Sequence, residues 1–359
     1  MDGERLYWWA LSLAPGIGAR RFFKLLEEFG SAQNVWACKP ADLGPFLPAR
    51  VREEFAAFRA SFDPEPRLKA LRERGITLLT LLDAEYPENL RDIADPPPVL
   101  YVLGKLEPRD SRSIAVVGSR RATPYGRTTA ERFGRELAEL GFTVVSGMAR
   151  GIDTCAHRGC LAAGGRTIAV LGCGLDYVYP PENRKLMARI AREGAVITEF
   201  PLGTPPEAGH FPTRNRIISG LSLGVVVVEA AATSGSLITV DWALEQGREV
   251  FAVSGNINSP YSRGTNFLIS QGARLVQGAR DIAAELRVPV EKAGGQKETI
   301  ALSREEKRVL AVFRDRHLHI DEIIRATRLA PQQVISILLM LELKGCVQQL
   351  PGKLFVRTG

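Results

Sequence analysis

Residues 114–121 have the sequence IAVVGSRR, in which an apolar, β-branched run ends at a glycine and is followed by a serine and two arginines. A helical pattern, Tyr125 to Leu140, comes after a short turn. An apolar run of this length followed by a helix is the repeating unit of a parallel sheet that is covered by helices. These residues therefore predict an α/β fold.

The same unit recurs along the chain, and helical patterns such as Leu237 to Gln246 separate the apolar runs. A Pro-rich passage leads into Val99 to Gly104, and the predicted strands after it are Ile114 to Gly118, Thr143 to Ser146, Thr167 to Gly172, Val196 to Glu199, Val225 to Glu229 and Val250 to Val253. The alternation predicts an extended Rossmann-like, doubly wound and mostly parallel sheet with helices on both faces, within residues 67–287.

Residues 1–66 precede the sheet and have helical patterns at Glu4 to Leu13, Gly18 to Phe29 and Arg50 to Phe62. They predict a small helical domain of the SAM or helix-hairpin-helix type. The turn Pro15 to Gly18 has two glycines before a helix, a pattern that can offer backbone N–H groups to a DNA phosphate. A plain packing corner between two helices explains the same residues, and both interpretations stay open.

The C-terminal part of the chain follows a predicted linker, residues 288–299, which contains a proline and a glycine pair. Residues 300–359 then show three predicted helix starts and two short strands around a Pro-Gly-Lys turn. The helix starts are Ser303, Asp321 and Pro331, and the strands are Cys346 to Gln349 and Leu354 to Arg357. Three helices and a hairpin predict a winged-helix-like domain.

The composition favours a cytoplasmic protein without a membrane segment. Lys and Arg number 47 against 40 Asp and Glu, and the net charge of +7 favours a polyanionic partner without requiring one. Charged residues interrupt every apolar run before it reaches membrane-spanning length, and the acids near Met1 are unlike a signal peptide. The five cysteines are scattered without a disulfide pattern, as is usual in a reducing cytoplasm.

Small and polar residues follow four of the predicted strands. These stretches are Gly118 to Arg121, Ser146 to Gly151, Gly172 to Gly174 and Thr233 to Ser236, and a further predicted loop, Phe211 to Arg216, adds two guanidinium groups. Ligands of open α/β sheets bind at the carboxyl ends of the strands, where backbone N–H groups and arginines suit a phosphate. The alternative is that Arg214 or Arg216 pairs with Glu199 or Glu229 inside the fold.

The common cofactor patterns are missing from the sequence. There is no GxxxxGK(S/T) and no GxGxxG after the first predicted strand. His157 near Asp153 is better explained as a structural hydrogen-bonding residue than as a catalytic base. Cys155 and Cys160 form a poor metal-binding pair. We therefore expect no catalytic residue, no cofactor and no metal.

The order of several motifs resembles that of the DNA-processing protein DprA (Smf) family. The matching stretches are Tyr86-Pro87, Asp95 to Tyr101, Val116 to Arg120, Tyr125-Gly126, Ser146 to Asp153, Ala156-His157, Gly174 to Asp176, Tyr179-Pro180, Phe211 to Ile218, Glu229-Ala230, Ser234 to Thr239 and Gly264 to Ile269. They extend over residues 80–285 in order and without large gaps. Chance matches of isolated motifs do not explain such a series.

The resemblance implies a protein that binds single-stranded DNA during natural transformation, protects the incoming strand and helps to load RecA onto it, with no catalysis of its own. It also implies a homodimer, with Leu268 to Val276 at the interface. The resemblance and the glycine and serine loops together give one set of expected DNA contacts. They are Gly118, Ser119, Arg120, Ser146, Gly147, Arg150, Gly151, Arg214, Asn215, Arg216, Ser234, Gly235 and Ser236. Family members often have a lysine after Tyr179-Pro180, where this chain has Pro181-Glu182-Asn183.

An enzyme of the related nucleoside-monophosphate phosphoribohydrolase superfamily is the alternative function. Those enzymes carry a PGGxGTxxE loop, whereas the matching loop here, Ala231 to Thr239, lacks the paired glycines and the glutamate and has Asp241 near the expected place of the acid. In the C-terminal domain, the predicted recognition helix Pro331 to Leu343 has few side chains that suit a DNA groove. It favours a protein contact or weak DNA binding.

Overall fold

A nine-stranded sheet forms the centre of the larger part of the molecule. The structure is a computed structural model that describes residues 3–288, 303–313, 318–343, 346–350 and 352–357. The chain divides into two compact units, Met1–Ala293 and Gly294–Gly359. The predicted linker 288–299 lies, apart from Val288, outside the described residues.

The first unit begins with a group of helices, three of which match the predicted helices to within one residue at each end. They are α1 (Gly3–Ser12), α2 (Ala19–Phe29), α3 (Ala32–Ala37), α4 (Ala49–Ser61) and α5 (Pro64–Glu73). Asp63 caps α5 by accepting a hydrogen bond from the N–H of Glu65 at 3.0 Å, so the predicted boundary at residue 66 falls inside this helix. Trp9 donates a hydrogen bond to the buried Tyr101 hydroxyl at 2.9 Å and so joins α1 to the sheet.

The turn between α1 and α2 has the geometry of a helix-packing corner. Gly16 has a φ of 73°, and an added Cβ would lie 2.9 Å from Val51 Cγ1, so a close approach of α4 requires glycine there. Arg21 donates a hydrogen bond to the Gly16 carbonyl at 2.7 Å and closes the turn. A DNA contact at this turn stays a prediction.

The sheet contains the six predicted strands and three that the sequence did not predict as strands, β1, β2 and β9. The strands are β1 (Ile76–Thr80), β2 (Val99–Gly104), β3 (Ser113–Val117), β4 (Thr143–Ser146), β5 (Thr167–Val170), β6 (Ala195–Thr198), β7 (Gly224–Val227), β8 (Glu249–Ala252) and β9 (Arg274–Leu275). Their order is β1-β2-β6-β5-β4-β3-β7-β8-β9. All pairs from β6 to β9 are parallel, whereas β2 is antiparallel to both of its neighbours. The predicted mostly parallel, Rossmann-like sheet is confirmed.

Helices cover both faces of the sheet. They are α6 (Glu88–Arg91), α7 (Pro124–Glu139), α8 (Ile152–Ala162), α9 (Arg184–Glu193), α10 (His210–Leu221), α11 (Leu237–Glu245), α12 (Arg263–Ser270) and α13 (Ala279–Glu285). Along β3, Ala115 and Val117 pack into one core with α10 and α11, while Ile114 and Val116 pack into another with α7, α8 and α13. This alternation is why the strand is apolar throughout. None of the helices described is both long enough and apolar enough to traverse a membrane.

The strand order reverses at β3. From β3 the chain builds β4, β5 and β6 on one side and then returns to place β7, β8 and β9 on the other side. The loops after β3 and β7 therefore separate at the carboxyl edge of the sheet and leave a crevice between them. The fold thus fixes where a ligand site is expected.

The second unit has the predicted winged-helix-like topology. Its elements are α14 (Arg304–Leu310), β10 (Leu318–His319), α15 (Ile320–Thr327), α16 (Pro331–Leu343), β11 (Val347–Leu350) and β12 (Leu354–Arg357), and its sheet has the order β10-β12-β11. Ser303 caps α14 as predicted, since its hydroxyl accepts from the N–H of Glu306 at 3.1 Å and the Glu306 carboxylate accepts from the N–H of Ser303 at 2.7 Å.

The close packing of α7 against α8 gives a test of the fold. A Cβ added at Gly159 would overlap the backbone carbonyl of Glu131, which a helix cannot move aside easily. We expect Gly159→Ala to lower the free energy of unfolding by about 1–3 kcal/mol in spite of the better helix propensity of alanine. Gly18→Ala is the control, because an added Cβ there meets no atom within 4 Å. Equal stability of the two variants in denaturant unfolding would contradict this packing.

Candidate functional site

A cleft of about 530 Å³ opens at the carboxyl edge of the sheet, between the loops that follow β3 and β7. Eight of its lining residues were predicted as contacts, and most of the set comes from β3 and the loops after β3, β4 and β7 and from α10, with single residues from α8, α11 and the turn after β8. The lining residues are Val117, Gly118, Ser119, Arg120, Arg121, Ala149, Asp153, Arg214, Asn215, Ile218, Ala231, Thr233, Ser234, Gly235, Ser236, Thr239 and Tyr261. The cleft lies at the carboxyl edge of the sheet, where the sequence predicted that the polar loops meet, and at the point where the strand order reverses.

The loop after β3 presents Arg120 to the cleft. An added Cβ on Gly118 would lie 2.6 Å from Ile152 Cγ1 and 2.7 Å from the Glu229 carbonyl oxygen, so this position requires glycine. The N–H of Ser119 donates to the same carbonyl at 2.7 Å and anchors the loop to the end of β7. Arg120 is exposed, and its guanidinium lies over the ring of Phe211, 5.1 Å from the centroid.

Glu229 fixes the start of α7 and forms no ion pair with Arg214 or Arg216. Its carboxylate accepts from the backbone N–H and from the hydroxyl of Thr123, both at 2.8 Å. The Thr123 hydroxyl in turn caps α7 by accepting from the N–H of Gly126 at 3.1 Å. The β3 loop is therefore fastened at both ends.

The floor of the cleft is a buried pair of opposite charges, Arg214 and Asp153. Arg214 donates hydrogen bonds to the backbone carbonyls of Gly147, at 2.8 Å, and Val170. Asp153 accepts from the backbone N–H groups of Gly147 and Ala149 at 3.2 and 3.3 Å.

Burial changes the acidity of both groups, because a low-dielectric environment disfavours charge. It lowers the pKa of Arg214 to about 10 and raises the pKa of Asp153 to about 6 in spite of the neighbouring guanidinium. Arg214 therefore stays charged at neutral pH, whereas Asp153 titrates close to it.

Residues 211–216 were predicted as a loop, and that prediction is wrong, because they belong to α10. Successive helical residues are about 100° apart, so Arg214 and Arg216 point about 200° away from each other. Arg216 is 2% exposed and forms two hydrogen bonds to the Glu199 carboxylate at 2.6 and 2.7 Å, with Asp95 at 3.1 Å. It does not line the cleft, and the alternative of an internal pair with Glu199 describes it correctly.

Three predicted contacts support residues of the cleft without lining it. They are Ser146, the last residue of β4, and Gly147 and Gly151 in the loop before α8. The buried Ser146 hydroxyl donates to the Val116 carbonyl at 2.6 Å. A Cβ on Gly147 would lie 2.6 Å from the Arg214 guanidinium, and Gly151 has a φ of 78° with the Ser119 carbonyl against it. These three residues therefore shape the cleft and do not contact a ligand in it.

The loop after β7 is more open. The hydroxyls of Ser234 and Ser236 are hydrogen-bonded to each other at 2.8 Å. An added Cβ on Gly235 meets no atom within 4 Å, so glycine there is not needed by the protein itself. Ser236 directly precedes α11, and the N–H groups of Leu237 and Thr239 donate to the Ser234 and Ser236 carbonyls at 3.0 and 3.1 Å.

A second cleft of about 390 Å³ adjoins the first and shares Arg120, Asn215 and Gly235 with it. It contains Tyr179 and Phe211, whose ring centroids are 5.5 Å apart. Tyr179 is 36% exposed, so one face of an aromatic pair is open to solvent beside the basic cleft.

Sequence reasoning missed several lining residues, Arg121, Asp153, Thr233, Thr239 and Tyr261. Arg121 and Thr233 belong to loops that were singled out, so their positions alone could have indicated them. Tyr261 comes from a 3-10 turn after β8, and this strand is also followed by small and polar residues, Ser254-Gly255-Asn256, which could have indicated it.

His157 and the cysteines have structural environments. His157 Nδ1 lies 2.7 Å from the Thr167 hydroxyl, and burial lowers the pKa of the imidazole to about 3, so it is neutral. Burial raises the pKa of Cys160 to about 12, and the residues that the structure describes contain no cluster of His, Cys, Asp or Glu that could hold a metal.

The fold and the cleft define a Rossmann-like α/β protein with a basic, glycine-lined crevice at the switch point of its sheet and a winged helix at its C-terminal end. Residues 77–287 match the family model described as DNA recombination-mediator protein A, and residues 296–353 match the DprA winged helix domain. The chain belongs to the DprA (Smf) family, as the motifs indicated.

Several known proteins match this chain over most of its length. Protein Smf of Synechocystis is 34% identical over 99% of both chains. The X-ray structure of DprA from Streptococcus pneumoniae is similar with a TM-score of 0.70 and 36% identity, covering 79% of this chain and 98% of that one. A structure of DprA from Helicobacter pylori, described for its single-stranded DNA binding mode, has a TM-score of 0.53 and 31% identity, covering 59% and 95%.

The raised pKa of Asp153 predicts a pH dependence of stability. The folded protein holds this proton up to about pH 6, whereas the unfolded chain releases it near its ordinary pKa of about 4. The favourable contribution of the neutral form is therefore lost as the pH rises through that window. We expect the stability of the wild type relative to Asp153→Asn to fall between about pH 4 and pH 6, by about 1–3 kcal/mol.

Thermal unfolding at several pH values measures this difference. Asp241→Asn, which removes an exposed carboxyl from α11, is the control. A difference between wild type and Asp153→Asn that is constant across the window would show that Asp153 does not titrate there.

Proposed function

We propose that the cleft binds single-stranded DNA by its phosphates, and that the protein is a cytoplasmic recombination mediator of natural transformation. It protects the incoming strand and helps to load RecA onto it, without catalysis of its own. The observation that carries this proposal is the exposed Arg120 guanidinium above the buried charge of Arg214, between two loops with accessible backbone.

The polar groups of the cleft match a phosphate better than a neutral ligand. Arg120 can reorient towards an incoming anion because it is exposed, while Arg214 supplies a charge that stays in place. The serine hydroxyls after β7 add neutral donors. These contacts carry no base preference, as expected of sequence-tolerant binding.

Single strands are favoured over duplex DNA by the aromatic side of the site. Unpaired bases can stack on the exposed face of Tyr179 beside Phe211, whereas bases in a duplex are already stacked. The Helicobacter pylori relative, whose structure concerns single-stranded DNA binding, supports this choice.

The alternative of a phosphoribohydrolase lacks support at Asp241, the residue near the place where those enzymes have their glutamate. Asp241 is exposed on α11 and is not among the residues that line the cleft. The carboxylate that does line it, Asp153, accepts two backbone N–H groups and faces Arg214.

In the winged-helix unit we propose a protein contact for α16. The helix exposes Ile335, Leu339 and Met340, at 53%, 57% and 47%. Its sequence, Pro331 to Leu343, contains no lysine or arginine for a DNA backbone. An apolar face of this kind suits a protein surface better than a groove of DNA.

The main test is Arg120→Ala. We expect this variant to bind a labelled oligothymidylate about ten- to hundredfold more weakly, since a charge-assisted contact is lost. Arg192→Ala removes an exposed arginine from the C-terminal end of α9, at the opposite edge of the sheet, and is the control. Fluorescence anisotropy at two salt concentrations, with duplex of the same length as competitor, measures the affinities.

Unchanged affinity of Arg120→Ala would place the DNA elsewhere, and equal competition by duplex would refute the preference for single strands. The same two variants test the RecA step, since loading of RecA onto an oligonucleotide covered by single-strand-binding protein should fail with Arg120→Ala and persist with Arg192→Ala.

We also propose a homodimer through the segment around α12 and β9. Val276 is buried within its own subunit, but Phe267 and Leu275 are 59% and 42% exposed, and β9 is the last strand of the sheet. We expect Phe267→Glu with Leu275→Glu to convert a dimer into a monomer in sedimentation velocity. Leu244→Glu, at a residue that is 64% exposed on α11, should leave the dimer intact. A double variant that still sediments as a dimer would locate the interface elsewhere.

A further inference from the structure

Arg150 forms a two-contact ion pair with Glu182 in the loops next to the cleft. Arg150 Nε lies 2.5 Å from Glu182 Oε1, and Nη2 lies 3.1 Å from Oε2. The side chains are 55% and 52% exposed, so the pair lies at the surface. A guanidinium presents the same two parallel N–H groups to a phosphate as it does to a carboxylate.

Both partners are held next to the DNA cleft by the fold. Arg150 follows Ala149, which lines the cleft, and the hydroxyl of Tyr179 also interacts with Arg150. Glu182 belongs to the turn Pro181–Asn183. The Asn183 side chain fastens that turn to the β4–α8 loop by donating to the Met148 carbonyl at 3.0 Å and to the Thr154 hydroxyl at 2.8 Å.

We propose that Glu182 sets the affinity for DNA by occupying, on Arg150, the position that a backbone phosphate takes in the complex. This inference rests on the proposed function, because it assumes that a strand follows the cleft past Ala149. In the free protein the carboxylate neutralises Arg150, and an incoming phosphate displaces it.

The exchange is physically easy. Exposed ion pairs contribute little to stability, and a half-exposed carboxylate that is released from its partner is solvated at once. The phosphate that replaces it belongs to a polyanion that releases condensed counterions on binding. Glu182 therefore lowers the affinity without blocking the complex, and it lowers it most at low salt.

The test is Glu182→Gln, which keeps the shape of the side chain and removes its charge. We expect oligothymidylate to bind about two- to fivefold more tightly at low salt, a gain that shrinks as salt increases. The plot of log affinity against log salt should steepen by up to about 0.7, the value for one more phosphate neutralised on a single strand.

Glu193→Gln is the matched control. Glu193 pairs with Arg189 at 2.9 Å on α9, with exposures of 38% and 43%, and its substitution changes the net charge by the same amount. We expect no gain in affinity from Glu193→Gln. A gain equal to that of Glu182→Gln would attribute both effects to net charge and overturn the proposal.

A double-variant cycle with Arg150→Ala separates competition from simple repulsion. If Glu182 acts by occupying Arg150, Glu182→Gln gains nothing in the Arg150→Ala background. A gain that persists without Arg150 overturns the proposal. Thermal unfolding of each variant confirms that it is folded.

The outcomes also separate this inference from the proposed function. Binding that depends on Arg120 but is unaffected by Glu182→Gln refutes the role of Glu182 alone. Loss of any dependence on Arg120 refutes the DNA cleft, and the role of Glu182 with it.

Discussion

The guanidinium of Arg214 is the constraint on which the rest of the site depends. It is 3% exposed and donates to the carbonyls of Gly147, which directly follows β4, and Val170, the last residue of β5. Such a cation is tolerated inside a protein because its Nε and Nη1 donate to protein oxygens and the carboxyl group of Asp153 is nearby. One side chain thus joins two strand ends to α10 and gives the cleft its buried positive charge.

The glycines around this guanidinium follow from its position. Gly147 leaves the space that the Arg214 head group fills, and Gly151 lets the β4–α8 loop pass the carbonyl of Ser119. Gly118 brings the β3 loop close to the end of β7. A glycine-rich loop would suggest backbone held open for a ligand, but here all three of these glycines make room for the protein itself. Gly235, which meets no neighbour, is the one with space left for a ligand.

The sequence predicts the sheet well because each strand is a buried apolar run with its own periodicity, as in β3. It also predicts the edge at which the cleft lies, since parallel strands bring their carboxyl ends together. It does not separate Arg214 from Arg216, because their difference arises from the register of α10 and from Glu199 and Asp95, which are distant in sequence. Glu182 is unremarkable in the sequence for the same reason, since its partner Arg150 is brought to it only by the fold.

The three arginines of the site differ in how solvent and salt act on them. Arg214 is buried, so its field is weakly screened and needs no reorganisation when an anion arrives. Arg120 is exposed and lies over Phe211, so its contribution is screened and its orientation adjusts to the ligand. Arg150 is exposed but already neutralised by Glu182. In the proposed complex, a DNA strand therefore meets a fixed charge at the floor of the cleft, a mobile one above it and a third that is released only by exchange.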